Sequence, residues 1–297
     1  VWAIYKEVQR YYDMGLRVPD DVIMLLSDDN WGNVRRLPDA VERQRPGGWG
    51  MYYHVDYVGA PRNTKWLNVT PIQNMWEQLQ LTYDYGVDKL WVLNVGDLKP
   101  MEYPITLFLD MAWNPTRLTA ANLLEHTHRF CAQQFGEEQA KEAARILNLY
   151  SKYAGRVTPE MLDSKTYNLE TGEWKQVSDE FVKLEAEALR QYLALNPRYR
   201  DAYKQLILFP VQALSNLYEM YYAQDYNNVM SGGKWKNMMI QKHIGYTSWN
   251  DNFPADRQPE VYRIENTDRA AGGYVFEACN GVVVMEAEHF FRKNDAA

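Results

Sequence analysis

Apolar residues recur along the first third of the chain in alternating helical and strand registers. Residues 4–15 carry them at helical spacing and stop at Gly15. Asp21-Val22-Ile23-Met24-Leu25-Leu26-Ser27 is then a nearly continuous apolar run, which predicts a strand buried on both faces, as in a parallel sheet. It ends in Asp28-Asp29-Asn30-Trp31-Gly32. A second strand is predicted at Met51-Tyr52-Tyr53-His54-Val55-Asp56-Tyr57, opened by the glycine-rich Gly47-Gly48-Trp49-Gly50. Residues 71–86 read as an amphipathic helix with Pro71 at its start and Gly86 at its end. A third strand follows at Asp88-Lys89-Leu90-Trp91-Val92-Leu93-Asn94, then a helix over roughly 101–113.

Repeated strand, loop and helix imply parallel β/α units. Polar residues follow the carboxyl end of each predicted strand, where open α/β sheets and (β/α)8 barrels both place their chemistry. Three strands cannot close a barrel, which takes about 250 residues. Residues 116–245 change character and read as helical throughout: helices over 117–135, 137–153 and 178–195, a cap and first-turn proline at Thr158-Pro159, and a long helix over 197–223 kinked at Pro210. Their sum predicts an antiparallel helical bundle. Residues 274–278 and 281–287 flank Asn280-Gly281, a hairpin signal. The expected organisation is therefore α/β: part of a (β/α)8 (TIM) barrel over 1–115, a helical bundle over 116–245, and a linker with the first strands of a β-sandwich over 246–297. The chain opens on Val1 and closes soon after a strand-like run, so a fragment of a longer protein is expected.

Composition narrows the partners. The 297 residues carry 32 Lys and Arg against 39 Asp and Glu, a net charge of −7, which disfavours nucleic acid and anionic membranes. The longest apolar candidate, residues 206–211, is far short of a membrane span and contains Pro210. The 22 Tyr and 10 Trp are numerous enough to hint at sugar stacking, since these side chains join an apolar body to a polar tip; a tyrosine-rich core explains them equally well. Cys131 and Cys279 stand too far apart for a metal motif or a disulfide framework.

Candidate chemistry gathers after the strands. Asp28, Asp29 and Asn30 suit a metal, a sugar or a reacting water, or simply cap the local loop. His54 and Asp56 share one side of an extended strand and could bind a metal or a hydroxyl, or form a solvated face. Asn94 and Asp97 close the third strand in the same way. Glu7 reads as a solvated helix glutamate, and Arg62 as a surface ion pair or a partner for an acidic substrate. There is no phosphate-cradling glycine loop and no GxSxG elbow.

Longer stretches make a family resemblance. Tyr5-Lys6-Glu7-Val8-Gln9, Gly15-Leu16-Arg17-Val18-Pro19-Asp20-Asp21-Val22 and Asp28-Asp29-Asn30-Trp31-Gly32-Asn33-Val34-Arg35-Arg36-Leu37-Pro38 resemble glycoside hydrolase family 115, the xylan α-1,2-glucuronidases. So do Tyr52-Tyr53-His54-Val55-Asp56-Tyr57-Val58-Gly59, Asn94-Val95-Gly96-Asp97-Leu98-Lys99-Pro100-Met101-Glu102, Gly232-Gly233-Lys234-Trp235, His243-Ile244-Gly245-Tyr246-Thr247 and Met285-Glu286-Ala287-Glu288-His289-Phe290. The resemblance implies removal of (4-O-methyl)glucuronic acid from glucuronoxylan with inversion and without a cofactor or metal. It implies Glu7 as general acid, Asp28 as base or water-positioning group, and Asn30, Trp31, His54, Tyr57 and Asn94 as sugar-binding groups. An acid protonated near neutrality needs a raised pKa, so Glu7 is expected to be buried or beside another carboxylate. A periplasmic or extracellular location goes with the family, and a homodimer is an expectation. Two other readings stand beside the glycosidase: an inactive xylan-binding or structural segment, and a metal-dependent barrel hydrolase using Asp28, His54 and Asp56.

Overall fold

The computed structural model describes residues 1–59, 62–64 and 67–230. The predicted hairpin around Asn280, Cys279, the expected β-sandwich over 246–297, and the motifs at Gly232 to Trp235, His243 to Thr247 and Met285 to Phe290 lie outside the described residues.

A parallel sheet forms the first layer. Its strands are β1 (Trp2–Ile4), β2 (Met24–Ser27), β3 (Trp49–His54) and β6 (Leu90–Asn94), in the order β1-β2-β3-β6. Ala3 pairs with Leu25, Leu26 with Met51, and His54 with Asn94. Ile4, Met24, Leu26, Met51 and Tyr53 are buried, as the continuous apolar runs require. The helix expected over 4–15 is shorter, at α1 (Glu7–Asp13), and the residues before it form the additional strand β1. Three residues are too few to show a period, and pairing decides instead: the Trp2 N–H donates to the Ile23 carbonyl at 2.8 Å, and Ile4 lies beside Leu26. Between β3 and β6 run the short antiparallel strands β4 (Tyr57–Gly59) and β5 (Arg62–Thr64), then α2 (Ile72–Asp84). Helix α2 starts directly after Pro71, buries Ile72, Met75 and Leu79 on one stripe, and ends before Gly86. Helix α3 (Glu102–Trp113) follows β6.

From there to Met230 the described chain is helical: α4 (Leu123–Phe135), α5 (Glu137–Ala154), α6 (Glu173–Ala194), α7 (Arg200–Tyr203) and α8 (Phe209–Met230). Small residues let α5 approach its neighbours closely, with Ala140, Ala143 and Ala144 buried beside Ile146, Leu147 and Tyr150. The Phe181 and Tyr218 rings, 4.4 Å apart, join α6 to α8. Cys131 is buried on α4, and that burial pushes its thiol up to about 12, so it stays protonated. The kink expected at Pro210 is relocated. A π-helical turn at Lys204–Leu208 precedes α8, and Pro210 sits in the first turn of that helix. A proline lacks the N–H that a continuous helix needs, and a widened turn ahead of it absorbs the loss. At Thr158 only half of the expectation holds: Pro159 opens a short 3-10 turn, but the threonine side chain makes no capping bond. Among the described residues no helix is long and apolar enough to cross a membrane.

Helix α5 is tied to the start of α2 at a polar seam. The fully buried Ser151 hydroxyl accepts from the Ile72 N–H at 3.1 Å and donates to the Thr70 carbonyl at 2.9 Å. Gln73 donates to Asn148 at 2.7 Å, and Gly155 lies so close to Pro71 that any Cβ would collide with the ring. Ser151→Ala leaves two buried backbone groups without partners, so a stability loss of about 1–3 kcal/mol is expected. A shift of the urea midpoint at unchanged m-value checks it.

Candidate active site

Because the pairing is parallel throughout, the four strands present their carboxyl ends along one edge of the sheet. Strand β2 delivers Asp28 and β3 delivers His54. The Asp28 Oδ1 lies 2.5 Å from the His54 Nδ1, while its Oδ2 accepts from the Gly32 N–H at 2.8 Å. Both side chains are sequestered, at 3% and 8% exposure. In the neutral imidazole a carboxylate acceptor at Nδ1 favours the tautomer with the proton there, which turns the Nε2 lone pair outward. The loop that supplies Gly32 is tightly built. Gly32 has φ +78°, and a Cβ there would come within 2.7 Å of the Tyr53 hydroxyl. That hydroxyl donates to the Gly32 carbonyl at 3.0 Å, joined by Asn74 at 3.2 Å. Burial pushes the Tyr53 phenol far above its ordinary value, and the Asp28 and Asp29 charges add to the effect. It is therefore a permanent donor. Asp29 is partly buried, which by itself raises its pKa. Bonds from the Asn33 amide and N–H, the Trp31 N–H and Arg35 outweigh this and hold it below the usual carboxylate range. Asp29 is thus the loop-capping half of the pair, and Asp28 faces the chemistry.

Aromatic rings wall the imidazole. The Tyr52, Tyr57 and Tyr5 rings stand 5.1, 6.0 and 6.2 Å from it, centre to centre. The Tyr5 hydroxyl donates to Asn30 Oδ1 at 2.9 Å, which fixes Asn30 in a left-handed conformation at φ +68°. Asn94 lies beside His54 in the ladder, and its carbonyl accepts from both the Val55 and Asp56 N–H groups, at 3.0 and 3.3 Å. The chain bends there, so strand alternation ends at His54. Asp56 instead turns into the protein at 3% exposure against Gly96, whose φ of +58° and lack of a Cβ admit the carboxylate. Glu7 follows β1 in the first turn of α1 and is exposed, so the burial expected of it is not provided by the described residues.

A cleft of about 530 Å³ opens beside this cluster, lined by Trp31, Tyr53, His54 and Asn74 on one wall and by Arg156 to Thr158 on the other. Trp31 is 42% exposed at its rim, a surface on which a sugar face can stack. Among the described residues no three His, Cys, Asp or Glu side chains are grouped to hold a metal ion. The structure thus brings Asp28, His54, Asn30, Tyr57 and Asn94 together, with Trp31 at the cleft mouth and Glu7 following the next strand. Sequence reasoning gave no role to Tyr5 and Tyr52, although both fall inside the motifs that carry the family resemblance. It also missed the Arg156 to Thr158 wall, which has no local signature.

Residues 1–161, more than half of the chain, match the family described as Glycosyl hydrolase family 115. The chain belongs to glycosyl hydrolase family 115. Among solved structures it is similar to a family GH115 4-O-methyl-α-glucuronidase with specificity for decorated arabinogalactans. The TM-score is 0.71 at 31% identity, covering 75% of this chain and 31% of that one. The chain therefore spans under a third of that enzyme's length. No curated protein matches it. The family match covers every strand of the sheet, the Asp28–His54 pair and both walls of the cleft.

Proposed function

We propose that this chain carries part of the centre of an inverting α-glucuronidase that removes (4-O-methyl)glucuronic acid side chains from glucuronoxylan. The observation that carries the reading is the buried Asp28–His54 pair, its imidazole lining a cleft with Trp31 and Tyr53, at the carboxyl ends of adjacent parallel strands. Four parallel strands in sequential order support reading residues 1–115 as a wall of a (β/α)8 barrel, because a doubly wound sheet reverses its order at a switch point. Residues 116–245 would then be the helical bundle and 246–297 the opening of a sandwich.

In this reading Glu7 protonates the glycosidic oxygen as the bond to the anomeric carbon breaks. A water attacks the opposite face of the ring, and its proton passes to the base. The geometry favours a division of labour in the base. Asp28 has both oxygens engaged, so it orients the imidazole, and His54 Nε2 is the group left to meet the water. Asn30, Tyr57 and Asn94 hold sugar hydroxyls, and Trp31 stacks on the ring. The reaction calls for no metal or cofactor. A homodimer and a periplasmic or extracellular location belong to the same proposal.

The test is incubation of the chain with 4-O-methylglucuronoxylan and, separately, with a glucuronic-acid-decorated arabinogalactan, followed by proton NMR. Release of the β-anomer first from the α-linked side chain is expected. First appearance of the α-anomer overturns inversion. Release from arabinogalactan alone replaces the xylan assignment. Tight binding of xylan with no release favours the non-catalytic segment, and activity abolished by chelator and restored by one metal favours the metal hydrolase.

A further inference from the structure

Lys6 has a conformation that an L residue does not favour and a charge that no carboxylate among the described residues cancels. It links β1 to α1 with φ +50° and ψ −119°, a positive-φ conformation that costs a non-glycine residue on the order of 1–3 kcal/mol. Strain of this kind persists where the surroundings impose it, and such positions cluster at functional sites. The side chain is exposed, and among the described residues no carboxylate lies within ion-pair range of its ammonium. It rests instead 5.0 Å from the centre of the Tyr5 ring and 6.0 Å from that of Tyr57. These are two of the three rings that wall His54, at 6.2 and 6.0 Å. The cation is thereby held at the edge of the catalytic cluster. Ring faces position an ammonium without neutralising it, so its charge stays available to an anion. Tyr5, and after it Tyr57, hold the ammonium above its ordinary pKa, so it is fully charged at neutral pH.

We infer that Lys6 is the group that recognises the carboxylate of the uronosyl ring, selecting a hexuronate over the neutral hexose of the same shape. This rests on the glucuronidase reading. Among the described residues, two arginines near the cluster are already engaged: Arg35 with Asp29, and Arg156, in the cleft wall, with Glu180. Lys6 also immediately precedes Glu7, so the residue that reads the acid and the residue proposed to protonate the leaving oxygen are fixed by one strained link. A point-charge ammonium tolerates a range of carboxylate angles, which suits a ring that carries or lacks a 4-O-methyl group.

The inference is tested by titrating the chain with glucuronate and with glucuronamide, its uncharged isostere, and following ligand NMR signals. The unmodified chain is expected to prefer glucuronate by about tenfold, the range of one charge-assisted hydrogen bond. The preference should shrink as salt rises. In Lys6→Met the two ligands should bind within about twofold of each other, with glucuronamide affinity unchanged. Lys6→Gly, which relieves the positive φ and guards against misfolding, should behave the same way. A tenfold preference surviving in both variants overturns the role of Lys6 while leaving the glucuronidase reading intact. Failure of the unmodified chain to bind either sugar overturns that reading, and this inference falls with it.

Discussion

Glu7→Gln is expected to cut release of glucuronic acid from xylan by about 10²–10⁴-fold, the usual contribution of a positioned general acid. The amide keeps the shape and removes the proton. Glu7 is exposed in the first turn of α1, so the folded state should lose no more than about 0.5 kcal/mol. The diagnostic lies in the leaving group. A xylose oxygen needs protonation as it departs, whereas a nitrophenolate does not. The defect should therefore shrink by an order of magnitude or more on an aryl glucuronide. Loss of equal size on both substrates would mean that Glu7 binds the sugar and does not supply the proton, and full turnover of xylan would remove it from the site.

Asp28 offers the second large effect, and two substitutions separate its structural and chemical parts. Asp28→Ala removes the acceptor of both the His54 ring and the Gly32 N–H in a buried setting, so a stability loss of about 3–5 kcal/mol is expected. Asp28→Asn should fold far better and still be nearly inactive. The Gly32 N–H can only donate, so the amide oxygen must face it. The amide NH₂ then faces His54 Nδ1 and forces the imidazole proton onto Nε2. The lone pair meant for the water is lost. Nitrogen NMR of the ring checks this directly: the Nδ1–H tautomer in the unmodified chain, the Nε2–H tautomer in Asp28→Asn. An unaltered tautomer with lost activity would instead make Asp28 itself the base.

Much of this was legible in one dimension because burial leaves a compositional trace. The run Val22 to Leu26 had to be an interior strand, and the stripe Ile72, Met75, Leu79 had to face a core. The polar clusters after Ser27 and before Val95 marked the chemical edge of the sheet, and long ordered motifs marked the family. Other features had no such trace. Strand β1 is too short for a period and exists because β2 offers a partner. The π turn before Pro210 is one of several ways a helix can absorb a proline. The second cleft wall, Arg156 to Thr158, is more than 120 positions from Trp31 in sequence and faces it only because Ser151 and Gly155 clamp α5 to the loop before α2.

The sequence by itself determined the parallel strands, the helices that follow them and the residue types gathered at one edge, because hydrophobic periodicity and chain order are local properties. The tertiary structure alone decided which of two adjacent aspartates meets His54, that Asp56 packs against Gly96, and that Lys6 stands between two tyrosines without an acidic partner among the described residues. Those outcomes depend on angles at single bends, where a difference of one residue reverses the direction of a side chain, and only the packing of distant segments fixes them.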